Sequence, residues 1–278
     1  MWIELDEELA RHFSGDTAFD ELMACEGEKF RHVKTRRTLK FERGGKNYFI
    51  KIHRAIGWRE VWKNWLGFKR PVTSARMEWM AIDRLQALGV PTLNVVGRGI
   101  RGKAPAHEES FVVTEALEGM ISLEQLTQNW GSLPPSQRLA LKRELIRQVA
   151  TIARTIHRNG LNHRDFYLCH FLVKDRDWNE WQPADSLMLH VIDLHRMQRR
   201  PTVPERWWVK DVAGVLFSAL DCDLTRNDLL RFSKIYWDGS VRELLGERQG
   251  VLQKIYRKAC KLYASIHDRE APDPVAKS

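Results

Sequence analysis

The stretch NHRDFYLCHFLV, residues 162–173, sets a His-Arg-Asp triplet ahead of the short apolar run HFLV. The segment before it, residues 136–160, repeats apolar side chains every three or four positions and ends in glycine, which predicts a long amphipathic helix. Downstream, Leu187, Leu189 and Val191 alternate with Met188, His190 and Ile192. This alternation predicts a strand that ends in Asp193. The predicted order is therefore helix, loop with Asp165, short strand, polar loop, strand and Asp193.

A β-hairpin is predicted upstream, around the pair Gly44 and Gly45. A two-residue turn there sets the register of the strands. The predicted pairs are Phe41 with Tyr48, Leu39 with Ile50, and Thr38 with Lys51. One face of the hairpin is then apolar, and Lys51 lies on the opposite face, where an ordinary solvated lysine is the alternative interpretation.

The segment TSARMEWMAIDRLQALGVP, residues 73–91, predicts a helix capped by Ser74 or Thr73 and stopped at Gly89. Glu78 stands four residues before Ile82 on the apolar stripe of this helix. A carboxylate at that edge is costly unless it is paired, and Lys51 is the obvious partner in a strand-then-helix layout.

Lys51, Glu78, Asp165 and Asp193 thus follow one another on a strand, a helix, a loop and a strand end. That order is typical of protein kinases, in which a lysine held by glutamate contacts phosphates, one aspartate serves the acceptor hydroxyl and another holds magnesium. We predict an α+β, bilobal, protein-kinase-like fold. A smaller β-rich N-terminal lobe would span residues 1–116, and a larger helical lobe with the catalytic loop would span residues 117–278.

Composition restricts the class of protein further. The chain has 278 residues and is 43% hydrophobic, so it can bury a sizeable core. Its net charge of +9 indicates an acidic partner, and the alternative interpretation is that the charge only keeps the protein soluble. The acidic N-terminal segment does not resemble a signal peptide, and the four cysteines show no CxxC spacing. These features predict a cytoplasmic protein with neither a zinc site nor a disulfide framework.

Several segments resemble one family in detail. They are TRRTLKFE, YFIKIHR, EWMAIDRLQALGV, SFVVTEAL, GLNHRDFYLCHFLV, VIDLHRMQ and PERWWVKDVAGVLFSAL. Together they are similar to the lipopolysaccharide core heptose(I) kinases of Gram-negative bacteria, relatives of the kinases that phosphorylate Kdo. The resemblance covers most of the chain, and it implies phosphorylation of the first inner-core heptose, dependent on ATP and Mg²⁺, at the cytoplasmic face of the inner membrane.

The resemblance also implies roles for single residues. Lys51 would contact the α- and β-phosphates, Glu78 would orient Lys51, Asp165 would take or orient the proton of the sugar hydroxyl, and Asp193 would bind Mg²⁺. Glu115 and Leu117, just after the strand FVVT, would flank adenine through backbone groups. A loop aspartate capping a turn is the alternative for Asp165, and a solvated strand-end aspartate is the alternative for Asp193.

Three features depart from protein kinases in general. In place of a glycine-rich loop the chain has Arg31, Lys34, Arg36 and Arg37, whose charges could substitute for backbone amides. Leu194 and His195 follow Asp193 where Phe and Gly are usual, and Tyr167 stands two residues after Asp165, where protein-serine kinases often place a lysine, which makes protein substrates less suitable.

His170 stands where an asparagine is expected. Imidazole suits Mg²⁺ poorly, so we predict that His170 contacts phosphate or water, with a hydrogen bond to its own loop as the alternative. We expect His163 to brace the loop from the core. Asp211 resembles the kinase aspartate that anchors the loop backbone, and a helix N-cap is its alternative.

The segment GWREVWKNWLGFKRP, residues 57–71, places tryptophans at helical spacing among positive charges. Such a helix could lie in a membrane interface, which suits a lipid-anchored acceptor, although a helix packed under the smaller lobe is the favoured interpretation.

Other functions fit the sequence less well. No sequence signature of a nucleic-acid-binding domain accompanies the charge, so we predict no nucleic-acid partner. Retention of all four kinase positions argues against a pseudokinase scaffold. The alternative to phosphorylation of the first heptose is a kinase for another core sugar, such as Kdo or the second heptose, or a protein-kinase-like phosphotransferase. The partners that the family resemblance implies are the lipopolysaccharide inner core, a peripheral contact with the inner membrane and an acyl carrier protein, which the positive charge would suit.

Overall fold

The computed structural model describes residues 1–33, 36–55, 74–104 and 106–274. The chain divides into two compact units. Unit 1 consists of Met1–Ala87, Thr92–Glu118 and Leu194–Arg196, and unit 2 consists of Leu88–Pro91, Gly119–Asp193 and Met197–Ser278.

Unit 1 is built on a six-stranded antiparallel sheet with the order β1-β5-β6-β4-β3-β2. The strands are β1 (Trp2–Leu5), β2 (Glu28–Val33), β3 (Arg36–Arg43), β4 (Lys46–His53), β5 (Val95–Arg101) and β6 (Glu109–Glu115). The helices within the described residues of unit 1 are α1 (Glu7–Ala10), α2 (Ala18–Met23) and α3 (Arg76–Ala87). Strand β1 and helices α1 and α2 were not predicted, because each is too short to show a clear hydrophobic period.

The hairpin β3-β4 has the predicted register. Phe41 pairs with Tyr48, Leu39 with Ile50 and Thr38 with Lys51. Gly44 and Gly45 both have positive φ, at +58° and +77°, which is the backbone that a two-residue hairpin turn requires. The apolar face is buried in the core of unit 1, where it packs with side chains of α1 and α2. This prediction is confirmed.

Helix α3 begins and ends close to the predicted positions. The side chain of Ser74 accepts a hydrogen bond from the backbone N–H of Arg76 at 3.1 Å, and Gly89 has a φ of +69° just beyond the C-terminus. The stripe through Ile82 and Leu85 is buried, and so is Glu78. The helix therefore presents one carboxylate on its core-facing side.

Unit 2 is mainly helical. Its helices are α4 (Leu123–Asn129), α5 (Pro135–Arg158), α6 (Glu205–Ala219), α7 (Arg226–Trp237), α8 (Val241–Gly246) and α9 (Gln249–His267). Its strands are β7 (Met120–Ser122), β8 (Leu161–Asn162), β9 (Phe171–Lys174), β10 (His190–Val191) and β11 (Gln198–Arg199). They form a three-stranded sheet, β10-β9-β7, and a two-stranded sheet, β11-β8.

The long helix before the His-Arg-Asp loop is α5, as predicted. Leu145, Val149, Ile152 and Ile156 are buried along one face, and Gly160 follows the helix with a φ of +76°. Helix α5 packs against α7, while α6 packs against α9. The β-rich first unit and the helical second unit confirm the predicted α+β class.

Two predictions in unit 2 need correction. The strand predicted over residues 187–193 is only His190–Val191, because the Gln148 side chain takes the place of a strand partner by bonding the carbonyl of Leu187 and the N–H of Leu189. Asp211 lies in the middle of α6 and not near a helix start, since the helix already begins at Glu205. Helix capping by Asp211 is thereby excluded.

Candidate phosphoryl-transfer site

Lys51 and Glu78 form an ion pair within unit 1. Lys51 projects from β4, and its Nζ lies 2.5 Å from Glu78 Oε1 on α3. The Glu78 side chain is only 2% exposed and that of Lys51 is 24% exposed. A carboxylate buried to this degree needs a charged partner, and the pair holds the lysine ammonium at one position on the sheet. The predicted pairing is confirmed.

The segment that contains Glu115 and Leu117 follows β6 in unit 1. The N–H of Glu115 donates to the carbonyl of Asn94 at 3.1 Å, and the N–H of Ala116 donates to the carbonyl of Asn47 at 3.0 Å. The Glu115 carboxylate accepts from the Asn94 amide at 2.6 Å. These bonds fix the backbone conformation of the segment, and they already use the N–H groups of Glu115 and Ala116 as donors.

Asp211 holds the backbone of the His-Arg-Asp loop in unit 2. Its carboxylate is fully buried and accepts the N–H of His163 at 2.6 Å and that of Arg164 at 2.8 Å. Arg164 has a φ of +78°, which is unusual for a residue with a Cβ and persists only where the surroundings impose it. The predicted anchoring role of Asp211 is confirmed.

A buried histidine and a buried tyrosine form a hydrogen-bonded chain that ends on Asp211. His157 Nε2 lies 3.3 Å from Asp211 Oδ2, and His157 Nδ1 lies 2.8 Å from the Tyr236 hydroxyl. Because the carboxylate accepts, the tautomer that satisfies the network carries its hydrogen on Nε2 and accepts the Tyr236 O–H at Nδ1. Burial, followed by the Asp211 charge, raises the pKa of Tyr236, so that the hydroxyl keeps its proton.

His170 lies between the backbone of Asp165 and the carboxylate of Asp193. Its Nδ1 donates to the backbone carbonyl of Asp165 at 2.7 Å, and its Nε2 lies 3.5 Å from Asp193 Oδ2. Burial opposes protonation, but bonds to the Cys169 side chain and the Asp165 carbonyl, aided by the Asp193 charge, raise the pKa of His170 to about 9. The hydrogen bond of His170 to its own loop is thus observed, and contact with a phosphate stays a prediction.

His163 braces the loop from the core, as expected. It is fully buried, and its Nε2 donates to the carbonyl of Ile192, beside Asp193, at 3.0 Å. Burial lowers the pKa of His163, which keeps the ring neutral. Asp193 itself has a φ of +59°, and Asp165 directly follows Arg164, whose φ is also positive. The two aspartates predicted to act in phosphoryl transfer therefore lie at or beside strained backbone.

The cations that replace a glycine-rich loop are only partly described. Arg37 donates from Nη2 to the carbonyl of Met23 at 3.1 Å, so this guanidinium ties β3 to the end of α2. Lys34 and the side chain of Arg31 lie outside the described residues. The tryptophan-rich segment 57–71 also lies outside them, and its interfacial role stays a prediction.

Two features of unit 2 were not predicted from the sequence. One is a group of three arginines, Arg164, Arg200 and Arg206, around Trp207. The only sequence signal for it is the run RRPTVPERWW at residues 199–208. The other is an apolar cavity of about 530 Å³ among the helices. Its walls include Leu145, Val149, Val215, Leu229, Leu252 and Tyr256. Apolar residues that line a cavity have the same helical period as those that fill a core, so the sequence could not separate the two.

Comparison with known proteins agrees with this arrangement. Residues 20–236 match the lipopolysaccharide kinase (Kdo/WaaP) family. The chain belongs to this family. It is 46% identical over 263 residues to the lipopolysaccharide core heptose(I) kinase WaaP of Pseudomonas aeruginosa, an alignment that covers 95% of this chain and 96% of that protein.

Further relatives give the same result. The chain is 43% identical over 257 residues to WaaP of Escherichia coli K12, covering 92% of this chain and 95% of that protein. Among solved structures, WaaP in complex with acyl carrier protein superposes with a TM-score of 0.79 at 41% identity, covering 95% of this chain and 100% of that one. The protein-kinase-like fold and the family resemblance predicted from the sequence are confirmed.

Proposed function

We propose that this protein phosphorylates the first heptose of the lipopolysaccharide inner core, with ATP as the phosphate donor. The observation that carries the proposal is the 46% identity, over 95% of the chain, to a heptose(I) kinase. The ion pair of Lys51 with Glu78 and the anchored loop around Asp165 support it, because phosphoryl transfer depends on positioned charges.

Each site residue has a proposed role. Lys51 neutralises the α- and β-phosphates, and Glu78 orients Lys51 through the buried ion pair. Asp165 accepts or orients the proton of the heptose hydroxyl. His170 contacts the phosphate end of the nucleotide, a position consistent with its Nε2 facing the Asp193 carboxylate.

Adenine recognition is proposed for the segment after β6. The amides of Glu115 and Ala116 already donate within the chain, so the carbonyl of Glu115 and the backbone of Leu117 are the groups that would face the base. Backbone recognition is consistent with the stiffness that the Asn94 bonds give this segment.

Asp193 fits a magnesium ion that arrives with the nucleotide. Its carboxylate is a hard oxygen ligand, and Mg²⁺ commonly binds to one or two carboxylates together with substrate phosphates and waters. Among the described residues, no cluster of three or more His, Cys, Asp or Glu side chains could hold a metal ion, so Asp193 would act together with the phosphates. Bound there, the ion would supply charge neutralisation at the transferring phosphoryl group.

The direct test is to incubate the purified protein with ATP, Mg²⁺ and dephosphorylated core lipopolysaccharide, and to locate the added phosphate by mass spectrometry. Phosphate on the first heptose supports the proposal. Phosphate on Kdo or on the second heptose would replace it with one of the alternative acceptors, and transfer only to a protein or a free sugar would overturn it.

An acyl carrier protein is a proposed partner. The support is a solved relative described as WaaP in complex with acyl carrier protein, together with the positive net charge of this chain. The apolar cavity of unit 2 has a volume common for ligand sites, and its chemistry suits an acyl chain. Binding of acylated but not unacylated carrier protein, lost on Val215→Trp, would support this use of the cavity, and equal binding of both forms would exclude it.

The proposed location is the cytoplasmic face of the inner membrane, where the lipid-anchored acceptor is reached by peripheral contact. Among the described residues, none of the helices is long and apolar enough to span a bilayer.

A further inference from the structure

Tyr236 places a hydroxyl group in the interior of unit 2. It lies in the last turn of α7 and is only 7% exposed. The rings of Trp208, Phe232 and Trp237 lie around its own ring, at centroid distances of 6.2, 5.9 and 4.7 Å. These contacts account for the ring but not for the hydroxyl, which needs a hydrogen-bond partner when it is buried. That partner is His157 on α5, at 2.8 Å.

A hydrogen-bonded chain runs from Tyr236 to the His-Arg-Asp loop. The Tyr236 hydroxyl donates to His157 Nδ1, and His157 Nε2 donates to Asp211 Oδ2 at 3.3 Å. The same oxygen of Asp211 accepts the N–H of His163 at 2.6 Å, and its other oxygen accepts the N–H of Arg164 at 2.8 Å. His157 and Asp211 are both buried, so the members of the chain depend on one another for their hydrogen bonds.

The hydroxyl decides which ring nitrogen of His157 carries the hydrogen. A carboxylate only accepts, so His157 holds Asp211 only when its hydrogen is on Nε2, and Nδ1 is then an acceptor. Tyr236 supplies the matching donor. Burial, followed by the Asp211 charge, raises the pKa of Tyr236, so the hydroxyl remains a donor. Without this donor, a hydrogen moved to Nδ1 would set two acceptors, Nε2 and the carboxylate, against each other.

The His-Arg-Asp loop depends on where Asp211 and His157 lie. Arg164 has a φ of +78°, which persists only where the surroundings impose it, and its N–H bond to Asp211 is one of the contacts that do so. The ring of His157 also packs against that of Phe166, at a centroid distance of 6.3 Å. A displacement of His157 therefore reaches Asp165 through the amides before it and through the ring after it.

We propose that Tyr236 is a positioning residue for phosphoryl transfer, which acts through His157 and Asp211 on the loop that carries Asp165. The inference rests on the proposed function and extends it, because Asp165 is the residue proposed to serve the acceptor hydroxyl. The Tyr236 hydroxyl fixes one tautomer of His157, and that tautomer fixes the carboxylate to which the loop is bonded. The role needs only the O–H group, since a phenylalanine ring would keep the aromatic contacts.

The first test measures single-turnover and steady-state kinetics of Tyr236→Phe with ATP and lipopolysaccharide. The rate of phosphoryl transfer should fall by about tenfold, the size of one hydrogen bond lost from a buried network, and the KM for ATP should not change. Tyr263→Phe is the matched control, because Tyr263 is also buried and donates its hydroxyl to a carboxylate, that of Asp221, at 2.8 Å. Asp221 lies exposed after α6, so this variant should keep the wild-type rate. Equal rates for Tyr236→Phe and wild type would overturn the proposal.

A double variant tests whether Tyr236 acts through His157. His157→Leu should lower the transfer rate at least as far as Tyr236→Phe does, and the double variant should be no slower than His157→Leu. All rates are compared at a temperature at which circular dichroism shows every variant to be folded. If the two losses multiply, Tyr236 acts by another route and the assignment is wrong.

The tautomer of His157 is a measurement that a role in packing alone would not change. Nitrogen NMR of isotope-labelled histidine, assigned by the signals that His157→Leu removes, should show the Nε2–H form in wild type and in Tyr263→Phe. Tyr236→Phe should show the Nδ1–H form, a mixture or the doubly protonated ring. An Nδ1–H ring in wild type, or an unchanged Nε2–H ring in Tyr236→Phe, would overturn the proposal.

The NMR measurement needs no acceptor, so it separates this inference from the proposed function. If Tyr236→Phe changes the tautomer and slows transfer, but the phosphate is found on an acceptor other than the first heptose, the positioning role stands and the proposed function fails. If the first heptose is phosphorylated and Tyr236→Phe has the wild-type tautomer and rate, the positioning role is wrong and the proposed function stands.

Discussion

At the scale of single residues, the loop that carries Asp165 has its backbone fixed by two side chains of unit 2. Buried Asp211 holds the two preceding amides, and His170 holds the Asp165 carbonyl. We expect Asp165→Ala to lower kcat by about 10²-fold or more, the usual contribution of a positioned base, with ATP binding largely intact. Single-turnover assays and ATP titration measure both. Asp177→Ala, at an exposed loop aspartate of the same unit, is the control, and near-wild-type turnover in Asp165→Ala would refute the role.

The ion pair of unit 1 allows a second prediction at this scale. Lys51→Ala and Glu78→Gln should each weaken productive ATP binding, and the double variant should lose little more than Lys51→Ala, because Glu78 acts through Lys51. The double-mutant cycle is read from the KM for ATP. Lys46 and Glu8, an exposed lysine–glutamate pair that also involves β4, should show no such coupling. Full additivity at Lys51 and Glu78 would mean that the pair has no function in nucleotide binding.

At the scale of elements, the junction between α5 and β8 depends on Gly160. Gly89, after α3, has a similar φ of +69° but open space where a Cβ would stand, whereas at Gly160 the Arg200 backbone blocks that position. Gly89→Ala should cost about 1 kcal/mol of unfolding free energy from backbone strain alone. Gly160→Ala should cost roughly 3 kcal/mol or more, because the junction must also move. Urea unfolding of both variants tests this. Equal losses of unfolding free energy would mean that the Arg200 backbone moves away from residue 160 at no energetic cost.

At the scale of the whole molecule, the net charge of +9 suits an acceptor anchored through anionic lipid. Charge reversal at Lys63, Lys69 and Arg70 should raise the KM for lipopolysaccharide without changing that for ATP, and added salt should have the same effect by screening. Reversal of Arg242, Lys258 and Lys261, all exposed in unit 2, changes the net charge equally and serves as the control. Normal use of lipopolysaccharide by the first variant would leave the packed-helix interpretation of residues 57–71.

The sequence by itself determined the features that depend on neighbours in the chain. The glycine pair set the register of β3 and β4, the apolar period located α3 and α5, and Glu78 on a buried stripe required a cation, which the strand before it supplied. The tertiary structure alone decided the contacts between distant residues. Asp211 reaches amides 47 and 48 residues away, His157 meets Tyr236 across 79 residues, and three arginines from separate elements meet at Trp207. Turn geometry and hydrophobic period are local properties, whereas these contacts arise only when the packing of helices brings remote side chains together.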